Sequence, residues 1–377
     1  MKKYFLLTPG PTPIPPEVAQ KESLPILHHR TSEYGEIFSK VLDDMKYVFQ
    51  TKNTVLLMSC SGTGAMESAV VNLLNPQDKV IVASCGVFGN RWEKICKAYN
   101  VNVIKIDAQW GKSVEPEKIE IELKNNPDVK VVFTTHTETS TGVVNDLKKI
   151  GEIVSKTDKI LVVDAISGLA GQDLKTDEWN IDVVVSGSQK GLMCAPGLAF
   201  VSINEKAWKL VENSKLPKFY FDYKKMRDYI PKKQTPFTPA VSLVVSLSKS
   251  LDIIKNQTLE KIFIKTENLA KITREAIKAL NLKLFADEKC ACNVLTSVNV
   301  PEGIDGKKIV KILREEYGIS IAGGQEKLEG KIIRIAHMGY IDKFDLFVAF
   351  IGLEIVLTKL GYRIEPGKSI AVAENFG

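Results

Sequence analysis

The stretch Val183-Val184-Val185-Ser186-Gly187-Ser188-Gln189-Lys190-Gly191 places a lysine shortly after a continuous β-branched run. Such a run is typical of a strand that is buried on both faces, so Lys190 is expected just past the carboxyl end of a buried strand. An amine in that position can form a Schiff base with a carbonyl compound. It can also be an ordinary surface lysine in a strand-to-helix loop. With 51 Lys and Arg residues in the chain, this stretch alone does not decide between the two.

On both sides of this stretch, short apolar runs alternate with amphipathic segments of helical length. The apolar runs span residues 54–58, 80–83, 101–106, 129–134, 160–163, 182–185 and 198–201. The helical segments span residues 65–74, 91–99, 116–124 and 147–155. Continuous apolar runs joined by helices predict an α/β fold, with a mostly parallel seven-stranded sheet that is covered on both faces.

The two ends of the chain differ from this central part. Prolines recur from Pro9 to Pro16, which predicts an extended N-terminal arm at residues 1–20. Residues 241–280 read as a long helical region that leads to a smaller α/β unit. In that unit, strands are predicted at 294–300, 319–322 and 332–335, and helices at 307–316 and 344–360. We therefore predict a large domain at residues 21–260 and a small C-terminal domain at 261–377.

Composition excludes several classes of protein. The chain of 377 residues is 44% hydrophobic and 25% charged, as is usual for globular proteins, and its net charge of +6 forms no basic block that would suggest nucleic acid. No apolar run reaches the length of a membrane span, and the apolar start is too short for a signal peptide. The six irregularly spaced cysteines suggest reduced thiols, a cytoplasmic protein and no metal site.

Polar or aromatic residues follow five of the predicted strands. In open α/β sheets, ligands bind beyond the carboxyl ends of the strands, so these residues are expected along one edge. In chain order they are a small hydroxyl-rich turn, an aromatic residue between glycines, a hydroxyl cluster, a carboxylate and the lysine: Ser61-Gly62-Thr63-Gly64, Phe88, Thr139, Asp164 and Gln189-Lys190. Each has a plain structural alternative, such as a capped turn, a loop aromatic folded into the core or a helix N-cap.

Taken together, the five groups match what pyridoxal phosphate needs. They offer a phosphate cradle at a helix N-terminus, a stacking ring, a carboxylate for the ring nitrogen and a lysine for the aldehyde. A carboxylate such as Asp164 about 4 Å from the ring nitrogen would contribute roughly 4 kcal/mol at an effective dielectric constant near 20. That energy corresponds to about three pKa units and would keep the ring nitrogen protonated.

Arg334 lies among Ile332, Ile333 and Ile335 in a predicted strand. A buried guanidinium is costly unless an anion pairs with it. It can bind a substrate carboxylate through two parallel hydrogen bonds, or it can belong to a structural ion pair. Both interpretations stay open at the level of the sequence.

These residues resemble the class V aminotransferases of fold type I, specifically the alanine–glyoxylate and serine–pyruvate group. The resemblance covers nearly the whole chain and rests on an ordered series of motifs. They lie at residues 8–12, 61–67, 86–92, 136–142, 164–167, 186–190, 238–243 and 333–336. The departures are modest, with Phe88 where tryptophan is often found and residues 235–237 where some members carry a tyrosine.

The resemblance implies a role for each candidate residue. Lys190 and Asp164 would be catalytic, Lys190 as Schiff-base lysine and general base and Asp164 as partner of the ring nitrogen. The other implied cofactor contacts are Ser61, Gly62, Thr63, Gly64 and Gln189 to the phosphate, Phe88 to the ring and Thr139 to its phenolic oxygen. Arg334 and Gly10 would bind substrate. Thr238 would reach the cofactor phosphate of a neighbouring subunit, which implies a homodimer with shared sites.

The function implied is a ping-pong transfer of an amino group from alanine or serine to glyoxylate or pyruvate. The alternatives are a transaminase that acts on 2-aminoethylphosphonate or ureidoglycine, and a related lyase similar to the cysteine desulfurases. Those desulfurases carry a histidine on the ring face, where this chain has Phe88, and a cysteine on a mobile loop. A third alternative, an idle cofactor-binding or partner subunit, is opposed by the presence of both Lys190 and Asp164.

Overall fold

A computed structural model describes residues 3–374 of the chain. The strands are β1 Phe5–Leu6, β2 Thr54–Met58, β3 Lys79–Ser84, β4 Asn102–Asp107, β5 Val129–Thr135, β6 Thr137–Glu138, β7 Val143–Val144, β8 Ile160–Asp164, β9 Val183–Gly187, β10 Ala199–Ile203, β11 Leu295–Asn299, β12 Ile319–Ser320, β13 Ala322–Gly323 and β14 Ile332–Ala336. The α-helices are α1 Pro16–Glu22, α2 Ser32–Phe49, α3 Gly62–Leu73, α4 Val87–Ala98, α5 Pro116–Asn125, α6 Leu147–Val154, α7 Glu205–Asn213, α8 Tyr223–Tyr229, α9 Val241–Gln257, α10 Leu259–Ala279, α11 Gly306–Tyr317, α12 Lys343–Lys359 and α13 Lys368–Glu374.

The central sheet has seven strands in the order β2-β10-β9-β8-β5-β3-β4. Six strands run parallel, and β10 runs antiparallel to both of its neighbours. The predicted α/β fold with a mostly parallel sheet of seven strands is therefore confirmed. Because parallel strands end at one edge, the segments that follow β2, β3, β5, β8 and β9 emerge side by side.

Two apolar cores cover the two faces of this sheet. Alternate strand residues point to opposite faces, so Val55 and Leu57 join the core under α2, α6 and α9, whereas Leu56 and Met58 join the core under α3, α4 and α7. Full burial of side chains of this size stabilises the fold by roughly 1.5–3 kcal/mol each. This double cover explains why the sequence runs are continuously apolar rather than alternating.

The C-terminal part has its own core around a three-stranded sheet in the order β11-β14-β13. The helices α10 and α9 meet at Thr258, whose φ of +63° breaks the long helical region. Along α10, Ile262 still packs in the sheet core and Leu269 already packs in the C-terminal core. The proposed domain boundary at residues 260/261 falls beside this break. Residues 1–2 of the predicted arm and residues 375–377 of the predicted C-terminal domain lie outside the described part of the chain.

The N-terminal arm differs from the prediction in two ways. Its first segment is built into the C-terminal part, because β1 pairs in parallel with β12 and Leu7 lies in the C-terminal core. The arm is also extended only as far as Pro15, since Pro16–Glu22 is helical and packs against α9. Proline is compatible with the first helical position, where its missing N–H group would have no partner within the helix. Residues 16–20 of the predicted extended arm are therefore helix.

Candidate active site

Lys190 lies beyond the carboxyl end of β9, in the wall of a cavity of about 290 Å³. Its side chain is buried, and its Nζ donates a hydrogen bond to Ser167 Oγ at 3.2 Å. Burial lowers the pKa of this amine to about 8, although the Asp164 carboxylate opposes the shift. Of the predicted site residues, those that line the same cavity are Gly10, Ser61, Gly62, Thr63, Phe88, Asp164, Gln189 and Lys190.

Asp164 is the last residue of β8 and is 3% exposed. Its Oδ1 accepts a hydrogen bond from the backbone N–H of Ile166 at 2.8 Å. Among residues 3–374, no group donates a hydrogen bond to Oδ2, so this oxygen remains available to a donor in the cavity. Burial raises the pKa of the carboxyl to about 7, and the nearby charges of Arg91 and Lys190 lower it. A cation beside Asp164 would therefore lower its pKa further.

The turn after β2 is the first turn of α3. The Ser61 side chain makes no capping hydrogen bond, so the Gly62 and Thr63 amides keep their donors for a ligand, whereas the Gly64 amide donates to the Ser61 carbonyl at 2.8 Å. A Cβ atom on Gly62 would lie 2.6 Å from Ile166 Cδ1 and 2.8 Å from its Cγ1, so a larger residue here would have to displace the Ile166 side chain. The Thr63 hydroxyl accepts a hydrogen bond from Arg91 Nη1 at 2.9 Å. This end of the cavity has the donors and the positive charge that an anion requires.

Phe88 and Arg91 lie in the first turns of α4. They are three residues apart and so share one side of the helix. The guanidinium carbon of Arg91 is 4.8 Å from the centre of the Phe88 ring, a cation–π distance. The helix thus presents an aromatic ring and a cation together to the cavity.

Thr139 and Arg334 are hydrogen-bonded to each other and are not among the residues that line the cavity. Arg334 donates from Nη1 to the Thr139 carbonyl at 2.8 Å and from Nε to the Gly323 carbonyl at 2.9 Å. Within the described part of the chain no carboxylate lies within ion-pair distance of this guanidinium, which opposes a structural ion pair. Burial lowers the pKa of Arg334 to about 10, which still leaves it charged at neutral pH. The Thr139 hydroxyl is buried without a hydrogen-bond partner.

The N-terminal arm closes the cavity over Lys190. Gly10 has a φ of +143°, and a Cβ atom there would lie 2.4 Å from Lys190 Cε and 2.8 Å from Nζ. Thr12 donates from its amide to the Gln189 carbonyl at 3.1 Å and from its hydroxyl to the Lys190 carbonyl at 2.9 Å. The arm therefore holds the lysine loop and excludes solvent from the amine.

Besides Thr139 and Arg334, two further predicted residues lie outside the cavity lining. Gly64 lies in α3, where a Cβ atom would approach Cys60 Sγ to 2.7 Å. Thr238 is exposed and borders a different hollow, beside Tyr220 and Phe237. Thr238 does not reach the Lys190 cavity of its own chain.

A family model described as aminotransferase class V matches residues 4–338, almost nine-tenths of the chain. The chain belongs to the class V aminotransferases. It is accordingly an enzyme that transfers amino groups, and its cofactor is pyridoxal phosphate.

Curated relatives cover this aminotransferase over nearly its whole length. It is 40% identical to the soluble hydrogenase 42 kDa subunit of Anabaena cylindrica, over 98% of each chain. It is 33% identical to the L-aspartate–glyoxylate aminotransferase of Paracoccus denitrificans, over 98% of this chain and 95% of the relative. It is 32% identical to a serine–glyoxylate aminotransferase of Methylorubrum extorquens, over 99% and 96%.

A solved structure, ureidoglycine–glyoxylate aminotransferase from Bacillus subtilis, superposes on this aminotransferase with a TM-score of 0.96. The two chains are 31% identical, and the match covers 100% of this chain and 98% of the other. The fold is that of the fold type I aminotransferases, as the sequence predicted.

The groups left without partners in this aminotransferase fit the cofactor. Buried acceptors or hydroxyls with no hydrogen bond occur at Thr139 Oγ1 and Gln189 Oε1. Within the described residues, the second Asp164 oxygen and the first two amides of α3 are also free, and the buried Lys190 amine is held by Ser167 Oγ in the same cavity. A phenolic oxygen could meet the Thr139 hydroxyl, a phosphate the free amides, a ring nitrogen the Asp164 oxygen and an aldehyde the Lys190 amine. The Gln189 side chain could meet a phosphate through its amide nitrogen. Among residues 3–374, no cluster of three or more His, Cys, Asp or Glu side chains could hold a metal ion.

The sequence did not reveal four residues of the aminotransferase site. They are Thr12, Arg91, Ser167 and also Glu138, which accepts hydrogen bonds from the Phe88 and Gly89 amides, and each lies within or beside a motif that the sequence had singled out. Arg91 could have been found from its spacing of three residues from Phe88, which places both on one helical side. Thr12, Glu138 and Ser167 act through contacts between distant segments, which spacing along the chain does not reveal.

Proposed function

We propose that this aminotransferase moves an amino group from a small amino acid, alanine or serine, to glyoxylate or pyruvate. The observation that carries the proposal is the burial of the Lys190 amine in one cavity with Asp164, beside a charged Arg334 that has no acidic partner in the described part. Several relatives are glyoxylate aminotransferases, which supports the same class of acceptor.

We assign the cofactor contacts as follows. Ser61, Gly62, Thr63, Gly64 and Gln189 would hold the phosphate, with the positive end of α3 and the Arg91 guanidinium adding favourable charge. Phe88 would stack on the ring, the Thr139 hydroxyl would meet the phenolic oxygen and Asp164 would accept a hydrogen bond from the ring nitrogen. When bound, pyridoxal phosphate supplies an aldehyde that links to an amine and a ring that withdraws electrons from the substrate α-carbon.

Lys190 is assigned two roles, attachment of the cofactor and proton transfer. Both need a neutral amine, and the lowered pKa of about 8 leaves roughly one amine in ten neutral at pH 7. In transfer, Nζ takes the proton from the α-carbon of the donor and later returns a proton to the acceptor. Ser167 Oγ holds Nζ in place, and the Gly10 backbone leaves the space in which the side chain moves.

Arg334 is assigned to the substrate carboxylate. Its Nε and Nη1 are held by two backbone carbonyls, so the guanidinium is fixed before the substrate arrives and loses little freedom on binding. A fixed guanidinium next to the cavity favours α-amino acids over amines that lack a carboxylate. Gly10 would border the same substrate, and its lack of a side chain would leave room for it.

The small cavity favours alanine and serine over bulkier donors. A dicarboxylic donor such as aspartate would need a second cation, and of the cations lining the cavity, Arg91 is engaged with Thr63 and Lys190 must act as base. We further propose a homodimer, in which the exposed Thr238 reaches the cofactor phosphate of the partner subunit. A cytoplasmic location is also proposed, on the reduced cysteines.

A panel of amino donors tests the proposal. The cofactor-loaded enzyme would be mixed with each donor in the absence of an acceptor, the conversion of the cofactor would be followed by its visible absorbance, and the product formed from each donor would be identified. The panel includes alanine, serine and aspartate, and also 2-aminoethylphosphonate, ureidoglycine and cysteine, which represent the alternatives. Rapid conversion by alanine or serine supports the proposal. If no donor converts the cofactor, and Lys190→Ala leaves the visible spectrum of the loaded protein unchanged, the proposal fails.

A further inference from the structure

The N-terminus of α4, which carries Phe88, is capped by a distant segment of the chain. Its N-cap residue, Gly86, has no side chain that could accept a hydrogen bond. Instead, the Val87 amide donates to Ser140 Oγ at 3.0 Å. The Phe88 and Gly89 amides both donate to Glu138 Oε2, at 3.0 and 2.8 Å. Three of the four free amides of this helix end are therefore satisfied by residues that lie some fifty positions later.

The Glu138 carboxylate is fully buried, and its hydrogen bonds go to the start of α4 and to Ser140. Its second oxygen, Oε1, accepts hydrogen bonds from the Ser140 amide at 3.1 Å and the Ser140 hydroxyl at 2.6 Å. Burial raises the pKa of the carboxyl, and these hydrogen bonds oppose the shift. Burying a carboxylate costs free energy unless hydrogen bonds compensate for the lost water. Here four donors surround the carboxylate, and together they hold the two segments in one fixed arrangement.

Thr139 lies between Glu138 and Ser140, so the same anchoring fixes its position. Its carbonyl accepts the hydrogen bond from Arg334, and its unpartnered hydroxyl is the assigned contact to the cofactor. The segment 138–140 thus connects the stacking ring on α4, the hydroxyl at 139 and the guanidinium on β14. The helix α4, the segment 138–140 and the strand β14 are far apart in the sequence.

The close approach of the two segments depends on Gly86. A Cβ atom there would lie 2.4 Å from Ser140 Oγ and 2.5 Å from Glu138 Cγ. The backbone of Gly86 is extended, with a φ of 172°, so any residue could adopt it. Glycine is therefore required here for space, which indicates that the contact between the two segments is tight.

We propose that Glu138 is a positioning residue, whose carboxylate sets Phe88 against the cofactor ring and, through Thr139, sets Arg334 against the substrate carboxylate. This inference rests on the proposed function, because it concerns the same cavity. It adds a residue that touches neither cofactor nor substrate and acts through the two segments that do.

Glu138→Gln tests the proposal with little change in shape. A glutamine amide has one acceptor oxygen and one donor nitrogen, so in either orientation a donor faces a backbone N–H group. The apo chain would be titrated with pyridoxine 5′-phosphate, which has no aldehyde and cannot bond to Lys190. We expect its dissociation constant to rise about tenfold, which equals about 1.4 kcal/mol. In the pyridoxal-phosphate-loaded enzyme we expect a raised KM for the amino donor as well.

Glu354→Gln is the matched control. Glu354 is also a buried carboxylate that caps a helix, and it accepts from the amides of Gly367 and Ser369 and from the Ser369 hydroxyl. It lies in the C-terminal part, away from the cavity lining. Both variants should lower the unfolding temperature of the apo chain, but only Glu138→Gln should weaken binding of pyridoxine phosphate.

Three outcomes decide the proposal. Equal affinity in Glu138→Gln and wild type, or equal weakening in both variants, overturns it. If Glu138→Gln does not fold, Ser140→Ala takes its place, since it removes the acceptor of Val87 and one donor to Glu138, and a severalfold weaker affinity is expected. If the wild-type apo chain binds neither pyridoxine phosphate nor pyridoxal phosphate, the proposed function itself fails, which is a different result.

Discussion

Lys190 should react as an amine with a pKa near 8, and its reactivity should follow pH accordingly. The ordinary lysine value is 10.5, and burial lowers the pKa of this amine to about 8. At pH 7 the neutral fraction then rises from about one in three thousand to about one in ten, a gain of roughly 300-fold. Because only the neutral amine attacks an aldehyde, the rate of cofactor attachment should rise with pH and level off just above pH 8.

The measurement is the rate at which the apo chain takes up pyridoxal phosphate, followed by absorbance in buffers from about pH 6 to about pH 10. The same buffers with a free alkylamine in place of the protein give the pH dependence of the cofactor alone. Lys190→Ala shows how much uptake does not involve this amine. The difference between these curves reports the titration of Lys190.

A second arm uses Asp164→Asn. The Asp164 carboxylate raises the pKa of Lys190, so its removal should move the midpoint to lower pH. The pKa of Asp164 itself is about 7, so its charge is present near the midpoint of the wild-type curve. A wild-type midpoint near the ordinary lysine value would refute the reasoning. So would a midpoint that moves to higher pH in the variant.

Three further substitutions have expected outcomes. Arg334→Lys should raise the KM for both amino donor and 2-oxo acid on the order of 30- to 100-fold in steady-state kinetics. An ammonium group cannot bond to the Gly323 and Thr139 carbonyls and also present a planar pair of donors to the substrate carboxylate. An unchanged KM would show that Arg334 does not bind the substrate. Gly10→Ala should abolish covalent cofactor attachment while far-ultraviolet circular dichroism stays native, since its Cβ atom would lie 2.4 Å from Lys190 Cε. Phe88→Leu should raise the cofactor dissociation constant about fivefold, which corresponds to the free energy of about 1 kcal/mol that one aromatic stacking contact contributes. A rise of less than twofold would argue against stacking.

The sequence predicted the central sheet well because its strands are buried on both faces. Each of the strands that precede the site, such as Ile160–Asp164 and Val183–Gly187, reads as a continuous apolar run with a polar residue just after or at its end. Parallel topology then requires those ends to meet at one edge, which is why the sequence alone predicts Asp164 and Lys190 in one site.

The helix starts at the site were predicted too late. Helix α3 begins at Gly62 rather than at 65, and α4 begins at Val87 rather than at 91. The first turn of α3 contains glycine and threonine, and that of α4 contains valine, phenylalanine, glycine and asparagine, all of which have low helix propensity, so these turns read as loops. In the structure those first turns are stabilised from outside the helix, by Glu138 and Ser140 for α4, and this support is invisible in the local sequence.

Contacts that join distant segments account for the rest of what the sequence did not reveal. The bond from Arg334 to the Thr139 carbonyl spans 195 residues, and the bond from Thr12 to the Lys190 carbonyl spans 178. Neither has a local pattern. Thr238 is exposed in its own chain, so its assigned role depends on a partner subunit.

Reduction of the loaded protein with borohydride tests the central claim most directly. Reduction makes the link between cofactor and lysine permanent, and peptide mass spectrometry then locates it. We expect the added mass on the peptide that contains Lys190, and we expect it to disappear when alanine or serine is added before reduction, because the donor amine releases the lysine. An added mass on another lysine, or one that persists on Lys190 with every donor, would contradict the account.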